Sequence, residues 1–145
     1  MKTLYNNIEA DKFKTDLDLR VYTSRLLGCD SSLVLHGGGN TSVKSIVTNL
    51  FGEEEEVLFV KGSGWDLATI EAPGFAPVKM DMLLKMAELE VLSDTDMVKY
   101  QRAAMIDPSA PNPSVEAILH ALIPFKFVDH THTDAVVTIT NTADG

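Results

Sequence analysis

Phe125-Lys126-Phe127-Val128-Asp129-His130-Thr131-His132 is the stretch on which the reading of this chain turns. Apolar Phe125, Phe127 and Val128 lead into the histidine pair and suggest a β-strand. On a strand, side chains at i and i+2 share a face, so the two imidazoles converge. On a helix the same spacing would splay them by roughly 200°. Imidazole nitrogen suits zinc and its first-row neighbours, and catalytic zinc takes about three protein ligands with one position left open. Glu116 upstream offers a carboxylate to join His130 and His132. A plainer reading leaves the same histidines in solvent, paired with Asp129 and Asp134.

Outward from that stretch, Asp107-Pro108-Ser109-Ala110-Pro111-Asn112-Pro113 must be a loop. The helix after it is expected to use Asn112 or Ser114 as its cap and to accept Pro113 in its first turn. Its buried stripe is expected to be Val115, Ile118, Leu119 and Leu122. Glu116 and His120 stand four apart on one flank of that helix, and His120 reads as a packing or supporting residue rather than a ligand. Met80, Leu83, Leu84 and Ala87 recur at i, i+3, i+4 and i+7 and predict an amphipathic helix. Another helix is expected over 95–105, and a short one from Asp134. Near the start, a helix from Thr15 to Leu27 would bury Leu17, Leu19, Val21, Tyr22 and Leu26. Asp16 and Asp18 suit its first turn, and Gly28 its C-terminal cap. Val57 to Val60 reads as a buried strand and Ser42 to Leu50 as a second. Helices and strands interleave, so the fold class is α/β in layers, within a single domain over 1–145.

Two glycine turns sit beside these strands, His36-Gly37-Gly38-Gly39-Asn40 and Gly62-Ser63-Gly64. Backbone amides in such turns can cradle a phosphate, with Asn40, Ser63 and Ser114 adding side-chain donors. The alternative is that these glycines only permit positive φ. A hydrolase oxyanion loop is excluded, because Ser63 has Lys61 rather than glycine two positions before it.

Composition narrows the function classes. A formal net charge of −9 over 145 residues argues against general nucleic-acid binding. No apolar run is long enough to cross a membrane, and the first residues lack a signal-type segment, so a cytoplasmic location is expected. Cys29 stands alone, which suits a reducing compartment. The acid run Glu53 to Glu56 reads as a solvated turn between strands.

The ordered set G-G-G-N-T-S-V, K-G-S-G-W, P-S-V-E-x-x-x-H and D-H-T-H resembles the class II aldolase/adducin family. The likeness runs from about Asp18 to Gly145 and is greatest to the branch combining rhamnulose-1-phosphate aldolase with an alcohol dehydrogenase. It implies a three-layer α/β/α sandwich around a largely antiparallel sheet, and a homo-oligomer, a tetramer in intact relatives. By position it implies His130 and His132 as metal ligands and Glu116 as the carboxylate on or near the metal that moves protons. It implies Gly39 and Asn40 in a first phosphate loop, Ser63 and Gly64 in a second, and Ser114 as a further phosphate residue. Val115 departs from the pattern by removing a hydroxyl. The family's third metal histidine and C-terminal tyrosine have no counterpart here, so the chain reads as the N-terminal portion of a larger protein, with impaired activity.

The function implied is metal-dependent cleavage of a ketose 1-phosphate to dihydroxyacetone phosphate and an aldehyde, with zinc or another divalent cation. A sugar-phosphate epimerase or dehydratase of the same fold, or a non-catalytic adducin-like binding module, are the alternatives. The partner expected is a small sugar phosphate.

Overall fold

A computed structural model describes residues 3–144. Its helices and strands run α1 (Asn7–Ala10), α2 (Asp16–Gly28), β1 (Asn40–Thr48), β2 (Glu54–Lys61), a 3-10 turn (Ala72–Gly74), β3 (Phe75–Lys79), α3 (Met80–Ala87), α4 (Asp94–Ala103), α5 (Ala117–Leu122), β4 (Phe127–His130) and α6 (Asp134–Thr140). The strands form one antiparallel sheet in the order β3-β2-β1-β4.

Strand alternation sorts the core into two layers of packing. Leu58, Val60, Ala76 and Val78 join Met80, Leu83, Met86, Ala104, Ala117 and Ala121, which come from the α3–α5 side. Phe59 and Phe75, one residue out of step with them, join Val34, Leu67 and Ile70 against Leu17, Val21 and Leu27 on the α2 side. Helices thus cover both faces, as the expected α/β/α sandwich requires.

Several local expectations need correction. β1 begins at Asn40 rather than Ser42, and Leu50 lies in the hairpin turn, 94% exposed. Glu54 to Glu56 belong to β2 rather than to a turn; Glu54 and Glu56 are exposed as expected, whereas Glu55 is partly buried and meets Lys79 at 3.0 Å. β3 was not foreseen; Pro77 lies within it and Pro73 in the turn just before it. It lies at the sheet edge, where a missing N–H costs little. α3 buries Met86 rather than Leu84 beside Met80 and Leu83.

The largest reversal is α5. Val115, Leu119 and Leu122 are each more than half exposed, whereas Ala117, His120 and Ala121 are buried. Small side chains at 117 and 121 let α5 approach the α3 side closely, and His120 finds a polar partner beneath it. Neither Asn112 nor Ser114 is the cap residue, since the helix starts at Ala117 with Glu116 in that position. Pro113 is bridged to Gly62 in an extended segment and is not in the helix. On α2 the deepest residues are Arg20 and Ser24, with the expected leucines only partly covered. Among the described residues, no helix is long and apolar enough to cross a membrane.

Candidate functional site

Three consecutive same-face residues of β1 meet α5 and the residues that flank it. Asn40 Nδ2 donates to Glu116 Oε2 at 2.9 Å, Ser42 Oγ lies 2.7 Å from His120 Nδ1, and Lys44 Nζ donates to the Ile123 carbonyl. From Asn40 to Ser42 the strand advances about 6.6 Å and from Glu116 to His120 the helix advances about 6 Å, so these two contacts stay in step. This matching fixes where Glu116 stands relative to the sheet.

The register then brings in the histidines. Asn40 pairs directly with His130 across β1 and β4, and directly opposed side chains share a face. Asn40 Nδ2 lies 3.2 Å from His130 Nδ1, and Glu116 Oε1 lies 3.9 Å from the same nitrogen. His132 lies beyond the end of β4, where its N–H donates to the Leu33 carbonyl at 2.9 Å. The His130 and His132 rings nevertheless stand edge to face, 4.8 Å between centres. Strand geometry therefore explains His130, and the tether to residue 33 explains His132.

A cleft of about 260 Å³ opens beside them, lined by Gly37 to Asn40, Lys61 to Gly64, Ser114 to Glu116, and His132. Both glycine turns thus reach one cavity. Their backbones need glycine, with φ of 65° at Gly39 and 86° at Gly64. The second turn is held to the α5 side, because Ser63 N–H donates to the Asn112 carbonyl and Ser114 N–H to the Lys61 carbonyl. The Ser63 hydroxyl, not its amide, is the group left to serve a ligand.

Ser114 is committed to Glu116: its hydroxyl donates to the carboxylate and accepts from Asn40 Nδ2 at 3.1 Å. Burial raises the Glu116 pKa, but the Ser114 hydroxyl, the residue's own backbone N–H and the neighbouring His130 and His120 outweigh it, and the net shift is downward. Glu116 is therefore a carboxylate at neutral pH, ready to accept a proton.

Lys61 was passed over in the sequence except to reject a hydrolase loop. It is 6% exposed, lines the cleft, and donates through Nζ to the Gly37 carbonyl at 3.2 Å. Burial lowers its pKa, partly offset by Asp66 and Glu116. A lysine that closes a buried apolar strand immediately before a glycine turn was the available signal.

His120 is 1% exposed, and burial, with His130 adding to it, lowers its pKa from 6.5 to about 4. The unfolded chain accordingly takes up a proton below pH 6.5 that the folded chain refuses, and stability falls as pH drops from there towards 4. The loss by pH 4.5 should be about 2–3 kcal/mol. Urea unfolding at pH 7.5 and 4.5 should show that drop in the wild type and a smaller one in His120→Gln. Equal drops would remove His120 as the cause.

Two imidazoles and a carboxylate suit a divalent ion in kind, and Asn40 Oδ1 beside them is buried without a partner. Among the described residues, no three His, Cys, Asp or Glu side chains are already drawn together as a closed metal set.

The family described as "Class II Aldolase and Adducin N-terminal domain" matches residues 19–145. The chain is 40% identical over 139 residues to "Uncharacterized oxidoreductase YuxG" of Bacillus subtilis (strain 168), covering 96% of this chain and 20% of that protein. The chain thus spans about a fifth of the length of this curated relative. It is also similar to a solved structure titled "Structure of the N-terminal Class II Aldolase domain of a conserved protein from Thermoplasma acidophilum". That likeness has 46% identity and a TM-score of 0.90, over 99% of this chain and 65% of that one. With its sheet, its helical layers and nearly its whole length accounted for, the chain belongs to the class II aldolase/adducin N-terminal domain family.

Proposed function

We propose that this chain is a metal-dependent aldehyde-lyase-type domain acting on a ketose 1-phosphate of the rhamnulose 1-phosphate kind. The products are dihydroxyacetone phosphate and an aldehyde. One observation carries this reading: Glu116, which lines the same cleft as both glycine turns, stands with its carboxylate 3.9 Å from His130.

His130, His132 and Glu116 would hold zinc or another divalent cation, and such an ion would polarise the hydroxyl and carbonyl oxygens of a bound ketose. The remaining work falls to the chain itself. Lys61 supplies positive charge for the phosphate, while the Ser63 hydroxyl and the glycine-rich backbone orient it. Glu116 Oε1 takes and returns the proton, steadied by Ser114 and Asn40 on its other oxygen. Ser114 and Asn40 thus act on the substrate through Glu116. The same reading includes assembly with further copies, which the open apolar face of Val115, Leu119 and Leu122 supports.

The test incubates the zinc-loaded chain with rhamnulose 1-phosphate and follows dihydroxyacetone phosphate through a coupled NADH-consuming reductase. Slow release that depends on Lys61 is expected, with Lys61→Met raising KM at least about tenfold. An epimerised or dehydrated sugar without release of the triose phosphate would reject the lyase reading.

A further inference from the structure

β4 carries His130 and leads to His132, yet it is an edge strand joined to β1 by four register pairs. A slip of one residue would turn His130 to the opposite face of the sheet. Something must hold this short ladder in register.

Arg20 of α2 lies on the face away from the cleft and is 2% exposed. Its NH1 is 2.8 Å from Asp129 Oδ1 and donates to the Ser42 carbonyl at 3.5 Å. Its Nε donates to Ser24 Oγ at 3.2 Å, and that oxygen lies 2.7 Å from Thr41 Oγ1. The guanidinium also sits 5.6 Å from the centre of the Phe127 ring. One planar, five-donor group therefore touches β1 directly at the Ser42 carbonyl and, by way of its α2 neighbour Ser24, reaches Thr41, while it touches β4 at Asp129 and Phe127. The Thr41–Asp129 pair is the rung next to Asn40–His130. Neighbouring strand residues face opposite ways, so a grip on Asp129 from the α2 side fixes the direction of His130 on the other.

We propose that Arg20 and Asp129 form a clasp that sets the register of β4 and so places His130 and His132 at the cleft. Arg20 is then a positioning residue that never meets the ligand. A buried guanidinium needs a reason, since well-packed apolar residues commonly stabilise as well or better; a directional hold on an edge strand supplies one. The link from clasp to ligand rests on the proposed metal-binding role of the histidines, whereas the clasp itself rests on geometry alone.

The experiment compares the wild-type chain with Asp129→Asn, Asp129→Glu and Arg20→Met. Asp129→Asn keeps the packing of Arg20 and guards against a variant that merely fails to fold. Hydrogen–deuterium exchange of the 125–133 segment should speed about tenfold in Asp129→Asn, with the β2 segment 54–61 unchanged. Cobalt(II) titration, read from its visible absorption, should weaken at least about tenfold, with Asp129→Glu recovering most of it. Unchanged exchange in 125–133 would overturn the clasp. Faster exchange with unchanged cobalt affinity would overturn its positioning role. A wild-type chain giving no cobalt bands would sink the metal reading instead, and exchange alone would then decide the clasp.

Discussion

Replacing Glu116 with glutamine should slow proton exchange on the substrate by roughly 10²–10⁴, the usual contribution of a positioned general base. The half-reaction is the cleanest place to see it. In D2O, the zinc-loaded chain should replace a hydrogen on the hydroxymethyl carbon of dihydroxyacetone phosphate, a change followed by proton NMR. Glutamine keeps the length of glutamate and an oxygen for the Ser114 hydroxyl and Asn40 Nδ2, so the wall of the cleft survives. What it loses is basicity, together with the charge it would lend the metal, so zinc content is matched between the two proteins before exchange is compared. The wild-type carboxylate is held ionised by Ser114, its own backbone N–H and the nearby histidines despite burial. The phosphate contacts proposed for Lys61 and Ser63 are untouched, so the thermal shift induced by dihydroxyacetone phosphate should stay close to wild type. That split, with exchange lost and binding kept, separates a proton carrier from a structural acid. Equal exchange rates in the two proteins would remove Glu116 from the chemistry. A parallel loss of binding would make its role architectural.

The parts of this site legible in the sequence were those with a short repeat. The i, i+2 spacing of His130 and His132 survives although only His130 lies in the strand, because a backbone bond to Leu33 carries His132 on. The glycine turns were legible as turns, and the structure brings both to one cleft. What the chain alone concealed was set by tertiary pairing. α5 reads as burying Val115, Leu119 and Leu122, yet Ala117 and Ala121 take the inner face because they permit close packing, with His120 bonded to Ser42. A hydrophobic stripe says that a surface wants cover; it does not say which surface supplies it. β3 received no assignment in the sequence, since a proline within a strand argues against one, and only its edge position makes a proline-bearing strand acceptable. Lys61 was hidden because one cation in an acidic chain carries no pattern, and its meaning comes from the carbonyl of Gly37 and the cleft it enters. Arg20 was not among the residues expected to be buried on α2. Its burial follows from the polar strand residues beneath it.

Gly28→Ala should destabilise the fold by more than about 3 kcal/mol, the upper range for overpacking a rigid contact. The expectation runs against helix propensity. Gly28 is the last residue of α2 and was read as a C-terminal cap, but Cys29 fills that position. It is not among the positive-φ glycines, so its backbone conformation suits alanine. On propensity and chain entropy the substitution should stabilise by about 0.4–1 kcal/mol. Space decides otherwise. A Cβ there would lie 2.2 Å from Ala68 N, 2.4 Å from Leu67 C and 2.7 Å from Ala68 Cα, all backbone atoms that cannot rotate aside. The helix end must lift from the 66–69 turn, pulling on fully buried Leu67 and Ile70 and on the cluster that Leu17, Val21 and Leu27 complete. That turn follows directly from Ser63 and Gly64, so the second loop of the cleft should loosen with it. Urea denaturation gives the first readout, and hydrogen–deuterium exchange across residues 62–71 gives the second. A variant as stable as wild type, or more so, would mean that α2 and the 66–69 turn are not in backbone contact, and the close approach argued for this face of the sheet would be wrong.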